Sequence, residues 1–215
     1  MEQPFIVKII LHHFTLFVAI TAGVISFRKL SVGQKIIWGE CCLTLSLGIW
    51  TAIRIYYGFY STPIVSTFEF ICYGIELVYI DYELGAFRKK KLFRILGMFF
   101  LSLIPLHWIY CWSLNYRGAS QILISLYLIT FYFYCIIYRP ANHSNTILRW
   151  ALLFYVTGNF LNATLKDFII WKLEPELSRT ISNLSYRLGD IEFLLITISF
   201  LMAYFQKKKT LQLQG

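Results

Sequence analysis

Seven long apolar runs separated by short polar connectors dominate this sequence, and few folds accommodate such a pattern. They extend from Phe5 to Ser26, Ile36 to Tyr56, Ile64 to Ile80, Leu92 to Trp112, Gln121 to Tyr138, Thr146 to Trp171 and Leu188 to Phe205. A helix needs about 20 mostly apolar residues, with a range of about 17–25, to cross a bilayer. The runs do not alternate polar with apolar residues, as the strands of a membrane barrel do. The sequence therefore predicts an all-α fold, an integral membrane bundle of seven helices. Composition agrees: 58% of residues are hydrophobic, 19% aromatic and only 14% charged, where about a quarter charged is usual for a soluble domain.

Charge sets the expected direction of the spans. Arg28, Lys29 and Lys35 flank the first connector, Arg88, Lys89, Lys90, Lys91 and Arg94 the third, and Arg139 and Arg149 the fifth, while Lys207, Lys208 and Lys209 follow the last run. The even-numbered connectors hold Arg117, Lys172, Arg179 and Arg187 only. Basic connectors stay in the cytoplasm, so the N-terminus is expected outside and the C-terminus inside. The opening Met-Glu-Gln-Pro lacks the basic stretch of a signal peptide, and the first run is expected to remain as a helix. Residues 1–206 then form the transmembrane domain and 207–215 a short basic cytoplasmic tail. The external connector from Lys172 to Arg187 is long enough for a short surface helix.

The net charge of +9 would suggest nucleic acid in a soluble protein, but these cations punctuate apolar runs and form no basic face on a polar domain. Nucleic acid is accordingly not expected as a partner. The lipid bilayer is, together with a cytoplasmic or membrane protein docking on Arg88, Lys89, Lys90 and Lys91. Cys41, Cys42, Cys72, Cys111 and Cys135 lie in or beside apolar runs in an odd number without a CxxC, which argues against a disulfide framework or a zinc knuckle.

Polar residues recur at helical spacing inside the runs. Lys8, His12, Thr15, Ala19 and Ala22 share one stripe, and Glu40, Thr44, Thr51 and Arg54 another. Glu69, Tyr73, Glu76 and Glu83 align on the third run, and Tyr127, Thr130, Tyr134 and Tyr138 on the fifth. Tyr155, Asn159, Asn162 and Lys166 follow on the sixth, and Glu192, Ser199 and Ala203 on the seventh. Ionisable side chains within a span usually face the bundle interior, so these stripes are expected inward.

Counting from the run ends places His12, Arg54, Glu69, His107, Asn162, Lys166 and Glu192 in one layer of the outer half. That layer is the candidate ligand site, and its mixture of charges suits a small zwitterionic or polar solute. The same residues also read as internal ties, with Arg54–Glu69 and Lys166–Glu192 as structural ion pairs. Glu76 lies deeper, with no cation at its level, and is expected to hydrogen-bond a tyrosine of the fifth helix.

Catalytic patterns do not stand out. His12 and His13 are adjacent and point to different faces, His107 and His143 fall on opposite sides of the membrane, and neither a Gly-x-Ser-x-Gly elbow nor a phosphate-binding loop occurs. No cofactor or catalytic residue is implied. A pigment-binding rhodopsin is contradicted, since the seventh run has no lysine for a Schiff base. Sugar transporters of similar plan carry prolines in several spans, whereas only Pro105 lies mid-span here.

Leu148-Arg-Trp-Ala-Leu-Leu-Phe-Tyr-Val-Thr-Gly-Asn-Phe and the run from Ile191 to Tyr204 resemble the last helices of small uncharacterised seven-helix membrane proteins of Bacteroidota. Gly158-Asn159 is the most distinctive piece. Some related bundles are the membrane-sensing parts of signalling systems. The resemblance implies a receptor-like or sensory subunit acting through a partner. A transporter or channel for a small polar solute or ion using the same polar interior is the alternative, and a structural or assembly subunit the third.

Overall fold

The computed structural model describes residues 3–57, 62–85, 90–110, 118–139, 141–172 and 175–212. Some side chains within these segments, those of Arg54, Glu69, His107, Asn162 and Lys166 among them, lie outside the described set. The described residues form seven α-helices and no strand: α1 Gln3–Ser26, α2 Val32–Tyr56, α3 Thr62–Leu84, α4 Lys90–Tyr110, α5 Gly118–Tyr138, α6 His143–Lys172 and α7 Pro175–Gln212. A single 3-10 turn, Phe27–Lys29, joins α1 to α2. The all-α expectation holds, and each of the seven apolar runs falls on one helix.

Each helix packs on its neighbours in sequence, and α7 returns to α1, which closes a ring. The α6–α7 seam is the most extensive, followed by α5–α6 and α1–α7. Close approaches along the seams use glycine: a methyl group on Gly23 would collide with the Trp38 ring, and one on Gly48 with His13. The Trp38 indole N–H completes its contact by donating to the Ile20 carbonyl at 3.1 Å.

Four chain segments meet at one end of the ring. The Lys29 ammonium donates to the Tyr204 carbonyl and lies over the Tyr204 ring. Ser31 bonds Asn145, and Arg139 donates to the Glu83 carbonyl. The α1–α2, α3–α4 and α5–α6 junctions therefore gather with the end of α7. We call this the basic end, because Arg28, Lys29, Lys35, Lys90, Lys91, Arg94, Arg139 and Arg149 belong to it.

The last helix differs from the expectation. Residues 175–187 do not form a loop or a separate surface helix; they continue directly into the apolar run. Helix α7 also continues through Lys207–Lys209, the expected tail. Its 38 residues span about 57 Å at 1.5 Å per residue. Hydropathy ends where Gly189-Asp190 begins, but Pro175 can start a helix, since its missing N–H is not needed in the first turn, and nothing between it and Leu188 breaks one.

By length and composition, two stretches of described helix are apolar enough to cross a membrane, Ile10–Lys29 and Arg187–Gln206. Ile122–Tyr138 is a shorter apolar stretch of described helix.

The ring is apolar outside, and a minority of polar side chains is buried within a largely apolar core. Exposed large hydrophobics occur on every helix, among them Phe14 and Phe17 on α1, Ile49 and Ile53 on α2, and Ile71 and Val78 on α3. Ile95 and Phe99 on α4, Leu126 and Ile137 on α5, Trp150 and Phe154 on α6, and Leu194 and Ile198 on α7 continue the belt. Gln34, Glu40, Glu76, Ser125, Ser144, Arg149, Glu192 and Ser199 are buried.

The inward stripes hold on α1, where Thr15, Ala19 and Ala22 are buried, and on α7, where Glu192, Ser199 and Ala203 are. On α5 the stripe holds at Tyr127, which is buried, and at Tyr134, which packs against the core, but is corrected at Thr130 and Tyr138. Thr130 is exposed and Tyr138 is 68% exposed, while Ile124, Leu128, Phe131, Tyr132 and Cys135 face the core. Thr130 satisfies its hydroxyl on the Leu126 carbonyl of its own helix at 2.8 Å, so it needs no interior partner, and bulky aromatics fill the core face instead.

Candidate functional site

Three carboxyl groups from three helices converge in the ring interior. Glu40 comes from α2, Glu76 from α3 and Glu192 from α7, and all are buried. Each is within electrostatic reach of the other two. Glu76 Oε2 accepts a hydrogen bond from the Tyr132 hydroxyl of α5 at 3.1 Å, the expected bond to a fifth-helix tyrosine, though from a residue off the expected stripe. Tyr155 of α6 lies within electrostatic reach of Glu40, Glu192 and Tyr73, and Cys41 borders Glu40 and Glu192. Glu40 Oε2, Glu76 Oε1 and Glu192 Oε2 are buried without a hydrogen-bond partner. Five helices thus contribute acids or phenols to one polar centre.

Depth follows from helix length. Glu192 stands 17 residues from Pro175 and 20 from Gln212, near the middle of α7, because α7 begins well before the end of the apolar run. Within the apolar stretch Arg187–Gln206 it stands five residues from the start. Among the described residues no group of three His, Cys, Asp or Glu side chains is placed to hold a metal ion.

His12 occupies a different place. Its Nδ1 lies 3.2 Å from Asp190 Oδ1, its ring stacks at 5.2 Å on Phe193, and its Cε1 would sit 3.1 Å from a Cβ on Gly189. Gly189, Asp190 and Phe193 share the face of α7 that meets α1, and Glu192 is turned away from it by about 100° at 3.6 residues per turn. His12 is thus a seam residue and Glu192 an interior one. The other candidates, Arg54, Glu69, His107, Asn162 and Lys166, have side chains outside the described residues.

The basic end is closed by two buried networks that the sequence analysis did not anticipate. In the first, Arg149 Nη2 and Nε donate to Glu83 Oε2 at 2.5 and 3.0 Å. Arg149 Nη1 donates to the carbonyls of Cys135 and Arg139 at 3.0 and 2.6 Å. Helices α3, α5 and α6 are tied together. In the second, Gln34 Nε2 donates to Ser144 Oγ at 2.5 Å and Ser199 Oγ at 3.0 Å. Ser144 Oγ donates to the Ser199 carbonyl at 2.7 Å and Ser199 Oγ to the Ser144 carbonyl at 2.9 Å. Helices α2, α6 and α7 are tied. The sequence signals were present: Glu83 is on the Glu76 stripe, and Arg149 is a lone cation inside an apolar run.

Of the basic docking residues, Arg88 and Lys89 lie outside the described residues, Lys91 is exposed, and Lys90 pairs with Asp81 at 3.3 Å. Arg94 pairs with the same aspartate at 2.7 Å. Slight burial works against ionisation of Asp81, but the hydrogen bonds and charges of Arg94 and Lys90 together outweigh it and hold its carboxyl below the usual aspartate range. Compared with protein-family models, with curated proteins and with solved structures, the chain matches none.

Proposed function

We propose that the chain is a multi-pass protein of the cell membrane, the inner membrane in a bacterium. Seven helices cross, with the N-terminus outside and the C-terminus in the cytoplasm. It acts as a receptor-like or sensory subunit that takes a small polar ligand into the bundle interior and passes the resulting state to a cytoplasmic or membrane partner. The observation that carries this reading is the outer belt: every helix presents large apolar side chains outward, and carboxyl, amide, guanidinium and hydroxyl groups are buried within a largely apolar core. Water favours the reverse arrangement, and a bilayer supports an apolar belt around a polar interior.

The orientation is supported by the basic residues gathered at one end, which the positive-inside rule assigns to the cytoplasm. The receptor-like reading is supported by the closure of that end. The Arg149–Glu83 and Gln34–Ser144–Ser199 networks are buried and tightly bonded, which favours a closed basic end, and a sensor needs an interior open to one side only. The resemblance of α6 and α7 to Bacteroidota seven-helix proteins belongs to the same proposal. So does partner docking on Arg88, Lys89, Lys90 and Lys91.

Impermeant thiol labelling in intact cells tests the topology, using a background without native cysteines. Leu184→Cys is expected to label and Lys90→Cys to stay protected. The reverse pattern overturns the orientation, and equal behaviour of both overturns the span. A second reading, a proton- or cation-coupled transporter, is favoured by the burial of three acids. It is separated from the first by restoring Cys41 alone. A receptor exposes Cys41 to reagent from outside only, whereas a transporter exposes it from each side in turn.

A further inference from the structure

The basic end does not match all of its own charge. Lys90 and Arg94 meet Asp81, and Arg149 meets Glu83. Arg139 donates to the Glu83 carbonyl, and Lys29 rests on the Tyr204 carbonyl and ring. Both acids of this end are thereby used. Arg28 and Lys35, at the α1–α2 corner, have no carboxylate partner among the described residues. The sequence supplies none nearby, since no acid lies between Glu2 and Glu40 or after Glu192.

The corner itself is firmly built. Ser31 N–H donates to Gln34 Oε1 at 3.0 Å and Gln34 N–H to Ser31 Oγ at 3.2 Å, a capping box that fixes the start of α2. The Trp38 ring lies against Gly23 of α1 and meets the Phe27 ring edge-on at 5.0 Å. The Lys35 ammonium stands 5.1 Å from the centre of the Phe27 ring, and Arg28, the next residue, is exposed. Ile25, Phe27 and Val32 are exposed too, so the apolar belt runs up to the two cations. The apolar stretch of α1 ends here, at Lys29.

We propose that the α1–α2 corner binds the headgroup of an anionic phospholipid, with Arg28 and Lys35 on its phosphate and Phe27, Val32 and Trp38 beside the upper acyl chains. The proposal deepens the membrane reading and rests on it. Two unmatched cations call for an anion, and a guanidinium can give phosphate two parallel N–H donors. Exposed apolar side chains beside them favour an anion that carries hydrocarbon over a free one. Basic residues just past the end of a span, with aromatic rings at the same level, are the setting that holds anionic lipid on the cytoplasmic side.

The test reconstitutes the full chain, in the cysteine-free background, into phosphatidylcholine vesicles. A fluorophore on Val24→Cys, an exposed position one turn before Arg28, reports quenching by nitroxide-labelled phosphatidylglycerol or nitroxide-labelled phosphatidylcholine. The anionic lipid is expected to associate about tenfold more strongly than the neutral one. Arg28→Gln with Lys35→Gln should bring that ratio to about one. Lys90→Gln with Arg94→Gln removes the same charge from cations already matched by Asp81 and should leave the ratio unchanged. Equal quenching by the two lipids in the parent overturns the proposal, as does a preference that survives loss of Arg28 and Lys35. A preference lost equally in both double variants overturns the corner as its source. Displacement of the labelled phosphatidylglycerol by inorganic phosphate overturns a lipid as the occupant. Quenching by neither lipid overturns the membrane reading, and the proposal with it.

Discussion

The two polar regions of the bundle handle buried charge in opposite ways. At the basic end Arg149 and Glu83 pair directly, Arg149 satisfies two carbonyls as well, and Gln34, Ser144 and Ser199 exchange hydrogen bonds in a closed set. In the middle, three carboxyls share one hydrogen bond from Tyr132 and leave an oxygen each without a partner. A fully bonded polar network ties helices together, whereas a partly bonded one is a cost that stability alone does not explain. The basic end is therefore a clamp, and the centre is the proposed site.

Substitution separates the two, and the clamp should respond most. Arg149→Met strands Glu83 and two carbonyls in a buried setting, and the expected loss is about 3–5 kcal/mol. Adding Glu83→Gln should restore part of it, because the stranded charge is gone. Denaturation of wild type, both single variants and the double variant in lipid checks this; strict additivity would break the comparison.

The centre should respond with the opposite sign. Glu192→Met keeps the volume and removes a carboxyl whose Oε2 has no partner, so stability is expected to rise by about 1–3 kcal/mol. A fall of several kcal/mol would place Glu192 in a structural network like that of Arg149.

Gln34 sharpens the comparison within the clamp. Gln34→Leu removes the amide donor to Ser144 and Ser199, but those serines still bond each other's carbonyls. The loss is expected to be about 1 kcal/mol, and native-state hydrogen exchange should show it at the start of α6 rather than on α3. Exchange that rises equally on α3 would mean that the two networks act as one.

The arrangement of helices was legible from run length and spacing, and the gathering of basic residues from their alternation along the chain. The buried faces of α1, α3 and α7 followed from helical period, as Thr15, Glu76 and Ser199 show. The α5 face did not, because Thr130 can satisfy itself on its own helix and its period then says nothing about the interior. The length of α7 was not legible, since hydropathy marks where a helix turns polar and not where it ends. The Arg149–Glu83 pair was written in two residues 66 apart, and only the ring closure of α3 against α5 and α6 brings them together. Sequence could name Glu40, Glu76 and Glu192 as polar positions, but not their convergence, which depends on how α2, α3 and α7 rotate in the ring.

The weakest expected effect lies at the rim, where Asp81 meets Lys90 and Arg94 at side-chain exposures of 29–57%. Water and salt screen such pairs, so Asp81→Asn should cost no more than a few tenths of a kcal/mol. The cost should fade at about 1 M salt, where the Debye length is about 3 Å. The pH dependence has a definite sign. The folded Asp81 carboxyl ionises at lower pH than in the unfolded chain, so folding binds fewer protons. The contribution is then fully present above the unfolded value of about 3.9 and disappears as pH falls through the folded one. Stability of wild type relative to Asp81→Asn should therefore be flat from pH 7 to about 5 and converge below about pH 4. A difference that grows on acidification would contradict pairing with Lys90 and Arg94. One that persists in high salt would put Asp81 with the buried clamp instead of the exposed rim.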